Sequence, residues 1–77
     1  MERAIARARA RAAASEIDEV ATRIRAAREA SGLSVKVFAA EVGTSASRMS
    51  TYLSGRVTPS AAMLVRMEWL AVRRAAG

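Results

Sequence analysis

Ser34-Val35-Lys36-Val37-Phe38-Ala39-Ala40-Glu41-Val42-Gly43, followed at once by Thr44-Ser45-Ala46-Ser47-Arg48-Met49-Ser50-Thr51-Tyr52-Leu53-Ser54-Gly55, is one local plan written twice. Each half opens on a serine whose hydroxyl can accept from a first-turn N–H, and each closes on a glycine that takes positive φ without strain. In the first half, Phe38, Ala39 and Val42 fall on one face of a helix expected over Val35–Val42. In the second, a helix expected over Ala46–Ser54 carries Met49, Tyr52 and Leu53 on one side and Ala46, Ser47, Ser50, Thr51 and Ser54 on the other. Ala39 is small where two such helices must cross, since a larger side chain would wedge the crossing open.

Working outward, Ser15-Glu16-Ile17-Asp18 has a capping-type serine with acids close behind, which suits a helix start. Ile17, Val20, Ala21, Ile24 and Ala27/Arg28 then keep helical spacing until Ser31-Gly32 stops the run. On the other side a loop, Arg56-Val57-Thr58-Pro59, leads to Ser60, which can cap a last helix from Ala61 to about Arg74 with Arg73 and Arg74 at its negative end. Leu64, Met67 and Ala71 form its core-facing stripe; Val65, Trp69 and Val72 form a second apolar stripe with no core left to cover it. Nothing reads as a strand or a repeat. The expected class is all-α: a compact four-helix domain over residues 15–77, preceded by a basic Ala/Arg-rich arm or helical extension over residues 1–14.

Composition narrows the function classes. A chain of 77 residues makes one domain. It has neither Cys nor His, which removes disulfides, the usual zinc ligands and the usual general base, so no metal, no cofactor and no enzymatic activity is expected. Glu2, Glu16, Asp18, Glu19, Glu29, Glu41 and Glu68 lie among helix-forming neighbours, not as a pair in an apolar run of the kind acid/base catalysis uses. The net charge is +6, from 13 basic and 7 acidic residues, and all the basic residues but Lys36 are Arg. That balance favours a polyanionic partner, because Arg neutralises phosphates and adds bidentate geometry; codon bias of a GC-rich genome would enrich Arg as well. No apolar run suits a bilayer and none resembles a signal-peptide core, so the expected location is the cytoplasm of a bacterial or phage-infected cell.

Two short helices joined by a tight Gly-containing turn constitute a helix-turn-helix, which offers its second helix to the major groove of DNA. Residues 24–71 resemble the helix-turn-helix domain of phage repressor and Cro-like (lambda-repressor-like) regulators. The resemblance rests on Ile24-Arg25-Ala26-Ala27-Arg28, Gly32-Leu33-Ser34, Phe38-Ala39, Val42-Gly43, Ser45, Met49-Ser50, Ser54-Gly55-Arg56 and Pro59-Ser60. It implies base reading by Ala46, Ser47, Ser50 and Thr51, and phosphate contacts from Ser34, Val35, Lys36, Ser54, Arg56 and Thr58. The first group also stands on its own residue types: it is a continuous stripe of small, mostly polar side chains that lets a helix sit deep in the groove. Arg48 flanks that stripe and is assigned to phosphate.

Three positions depart from the pattern. Val35 and Ala46 stand where relatives often carry Gln, or Arg at the second position, and Leu53 stands where many have a Glu that pairs with the helix 1 arginine, here Arg28. With hydroxyls and methyls in place of a bidentate amide, specificity is expected to lean on thymine methyls, Arg48 or DNA shape. The arm residues Arg3, Arg7, Arg9 and Arg11 read either as a mobile segment attracted to phosphate or as an extension of helix 1, and the segment also mimics a transit peptide. The resulting expectation is a transcriptional regulator, a repressor acting as a homodimer on an inverted-repeat operator, with Val65, Trp69 and Val72 at the dimer interface. The alternative is an antitoxin-type protein that binds its own promoter and a protein partner.

Overall fold

The computed structural model describes the backbone of residues 2–76 and the side chains of residues 14–76. It is built from α1 (Glu2–Ser31), α2 (Val35–Val42), α3 (Ala46–Leu53) and α4 (Ala61–Ala76), and no strand occurs among the described residues. α1 packs mainly along α4, while α2 and α3 pack on each other and against that pair.

The local signals of the two short helices act as expected. The Ser34 hydroxyl accepts from the Val37 N–H at 3.2 Å and the Ser45 hydroxyl from the Arg48 N–H at 3.0 Å. Gly43 follows α2 at φ 87°, in the left-handed region where a side chain would be strained. α3 ends one residue sooner than expected, with Ser54 as its C-cap. At α4 the Ser60 hydroxyl accepts from the Met63 N–H at 3.1 Å, and the helix runs two residues past Arg74.

The start of α1 is a correction. Ser15 lies inside the helix and does not begin it. Extending a nucleated helix adds a hydrogen bond per residue without a second nucleation cost, and Ala and Arg rank among the best helix formers. Residues upstream of Ser15 therefore need no core contact of their own to continue the helix, which realises the helical-extension reading of this segment.

The core joins all four helices: Ile24 and Ala27 from α1, Phe38, Ala39 and Val42 from α2, Met49 from α3, and Met67, Leu70 and Ala71 from α4. Phe38, Ile24, Met49 and Met67 are the largest fully buried side chains, each contributing roughly 1.5–3 kcal/mol of burial free energy. The α4 stripe differs from expectation by one position. Leu70 is buried whereas Leu64 is only partly covered, because α4 lies across both α1 and α2 and its inward arc is centred on Met67, Leu70 and Ala71. Tyr52 and Leu53 likewise pack on the core only in part, and Ile17 is exposed. The one buried polar residue among those described, Ser31, donates to the Arg28 carbonyl at 2.6 Å and accepts from the Leu33 N–H at 3.1 Å, closing the turn into α2. None of the helices described is long and apolar enough to cross a membrane.

Candidate nucleic-acid interface

α3 is held from one side. Met49 is buried at 0 % exposure, Tyr52 and Leu53 lean on the core, and on the opposite side Ala46, Ser47, Ser50 and Ser54 are exposed and Thr51 half-buried. Ser47, Ser50, Thr51, Ser54 and Arg56 line one open, shallow depression on that outer side. The structure thus brings together three of the four residues expected to read bases and two of those expected to meet phosphate. Ala46 is exposed at the helix start, outside the depression.

The hydroxyls in the depression are not equivalent. Thr51 donates to the Arg48 carbonyl at 2.6 Å and Ser54 donates to the Thr51 carbonyl at 3.1 Å, so each offers a ligand only acceptor lone pairs, and Thr51 its methyl. The Ser47 and Ser50 hydroxyls make no hydrogen bond among the described residues and retain both functions. They are the side chains with most freedom to read a base edge.

The phosphate candidates other than Ser54 and Arg56, which line the depression, lie outside it. Lys36, Arg48, Arg56 and Thr58 are exposed. Ser34 is exposed, but its hydroxyl is occupied in capping α2. Val35 packs its side chain against the core, which leaves its backbone N–H, one of the unpaired first-turn donors of α2, as its means of touching an anion. The side chains of Arg3, Arg7, Arg9 and Arg11 lie outside the described residues.

The acid missing at position 53 is answered by different contacts. Leu53 packs against the core, and Arg28 donates instead to the Leu33 carbonyl at 3.2 Å, holding the turn into α2. Arg25, one turn earlier on α1, donates to the Leu53 carbonyl at 2.7 Å. Sequence reasoning passed over Arg25. No residue type signals this contact, because the partner of Arg25 is a backbone carbonyl that every helix end carries.

On the far side, α4 exposes Val65 at 48 %, Trp69 at 69 % and Val72 at 67 %. Val72 also borders a groove between α1 and α4 floored by Ala26, Ala27, Ala30 and Ala71, with an Arg23–Glu68 ion pair at its edge. The apolar stripe read from the sequence is therefore present and uncovered in the single chain.

Neither a curated protein nor a solved structure matches the chain. A helix-turn-helix domain model matches residues 19–67, a span that takes in the end of α1, both short helices and the first half of α4. That span is well over half of the 77 residues and contains the capped helix pair together with the outer face of α3, and the chain belongs to the helix-turn-helix domain family, whose architecture suggests a DNA-binding regulator.

Proposed function

We propose that this protein is a sequence-specific double-stranded DNA-binding transcriptional regulator of the phage repressor and Cro-like type, acting as a repressor. The observation that carries this reading is the outer face of α3, where Ser47, Ser50 and Thr51 share one open depression with Ser54 and Arg56. Small hydroxyl side chains bounded by a cation suit a helix lying deep in a major groove, with bases facing the stripe and phosphate at its edge. The net charge of +6 adds the general attraction to a polyanion. This reading needs no cofactor and no catalytic step, and it places the protein in the cytoplasm, at the DNA.

The same proposal has the protein act as a homodimer through α4. Val65, Trp69 and Val72 form an exposed apolar stripe, and Trp is enriched at interface centres. A two-fold partner would set two recognition helices about one DNA turn apart, roughly 34 Å, on an inverted repeat. The same stripe would serve the antitoxin alternative, in which a different protein covers it.

Selection of binding sites from a random pool of duplex DNA tests the proposal. The expected product is an inverted repeat, bound with a salt dependence that reflects several phosphate contacts and that flattens when residues 1–14 are deleted. Enrichment of single half-sites would remove the dimer, and no enrichment of any sequence would remove specific reading altogether.

A further inference from the structure

The last turn of a helix leaves four carbonyls without intrahelical partners. In α3 each has found one. The Ser50 carbonyl accepts from the Ser54 N–H at 3.1 Å, the Thr51 carbonyl from the Val57 N–H at 3.2 Å, the Tyr52 carbonyl from the Gly55 N–H at 3.2 Å, and the Leu53 carbonyl from Arg25 at 2.7 Å. The first three donors belong to the chain leaving α3 and travel with it. Only the fourth ties the end of α3 to another element, and among the described residues it is the only side-chain hydrogen bond between α3 and any other helix.

This matters because the rest of the anchorage is non-directional. A buried Met49 with half-covered Tyr52 and Leu53 sets how far α3 stands from the core, but apolar contact alone resists rocking weakly. Side chains stand about 5–6 Å from the axis of a helix, so a tilt of α3 by about 10° moves an outward-facing hydroxyl by about 1 Å even at mid-helix, enough to take it out of hydrogen-bond range of a base edge. We infer that Arg25 fixes the tilt of α3 and so the presentation of Ser47 and Ser50, making it a positioning residue for sequence discrimination; the inference rests on the DNA-binding reading above. A second guanidinium nitrogen of Arg25 donates to the Thr22 hydroxyl at 3.2 Å. Arg25 is solvent-exposed, but both of its terminal nitrogens already hold partners within the protein, which favours a brace for α3 over a phosphate ligand. Its cationic head at the negative end of α3 also suits the helix dipole.

Two measurements on the full chain test this, using Arg25→Gln and Arg25→Lys. The first needs no DNA: amide hydrogen exchange. In R25Q the Ser54 and Gly55 amides should exchange roughly five-fold faster, while the amides of Met67 and Leu70 keep their wild-type rates, and R25K should restore part of the protection. Unchanged exchange at Ser54 and Gly55, or a rise spread evenly over the whole fold, would overturn the brace. The second is binding to a duplex selected by the wild-type protein and to a random-sequence duplex. R25Q should lose roughly five-fold in discrimination between the two, with the salt slope unchanged. An equal loss on both duplexes with a slope lower by about one would make Arg25 a direct phosphate contact and overturn the inference. A wild-type protein that binds neither duplex defeats the function reading instead, while the exchange result still decides whether the brace exists.

Discussion

α3 and α4 each turn one face to solvent, and the two faces are chemical opposites. The outer face of α3 carries Ser47, Ser50 and Thr51, small side chains that water solvates at no cost; the outer face of α4 carries Val65, Trp69 and Val72, which water covers only at a cost. Neither face contributes to the core of the single chain. A polar face of this kind can remain open until a ligand arrives, whereas an apolar one drives association whenever a complementary surface is available. One fold therefore presents two surfaces suited to different partners, and the comparison yields an order of sensitivity to mutation.

The crossing of α2 and α3, on which the placement of the α3 face depends, should give the largest effect. Ala39 has no exposed surface, so Ala39→Leu is expected to destabilise by about 1–3 kcal/mol through overpacking, lowering the thermal midpoint by about 4 °C or more. An unchanged melt would mean that the helices do not meet at this residue. On the apolar face, Trp69→Ala should weaken self-association by about 2 kcal/mol, roughly thirty-fold in the dimer dissociation constant. Sedimentation velocity reads this directly, and a W69A protein that still sediments as a dimer would place the interface elsewhere.

Smaller still is the turn between the helices. A Cβ at Gly43 would touch nothing within 4 Å, so Gly43→Ala isolates backbone strain at φ 87° and should cost about 1 kcal/mol in a denaturant melt. A neutral result would mean that the turn relaxes to negative φ without disturbing α3. The polar face of α3 should be nearly silent in stability: Ser47→Ala with Ser50→Ala is expected to stay within about 0.5 kcal/mol of the parent while changing the sequences recovered from a random duplex pool. A double variant that melts early would assign these serines to the fold and not to recognition.

Much of this was legible from local chemistry. Ser34, Ser45 and Ser60 announced helix starts, Gly43 a turn, and Phe38, Ala39, Val42 and Met49 a buried seam, because caps, positive φ and 3.6-residue periodicity are properties of a few adjacent residues. The hydroxyl stripe of α3 and the apolar stripe of α4 were readable for the same reason. Ser15 misled because a cap marks where a helix is able to start, and good helix formers upstream let it begin earlier.

What the sequence by itself determined, then, is the set of helices and the two faces they leave outward. Only the tertiary structure decided how those helices sit on one another: that Leu70 and not Leu64 completes the core, that Arg28 turns to the Leu33 carbonyl, and that Arg25 reaches the Leu53 carbonyl across 28 residues of chain. The physical reason is that a backbone carbonyl carries no mark of its own in the sequence. An arginine paired with an acid can be guessed from two letters, but one paired with the end of a helix is found only when the helix has been placed.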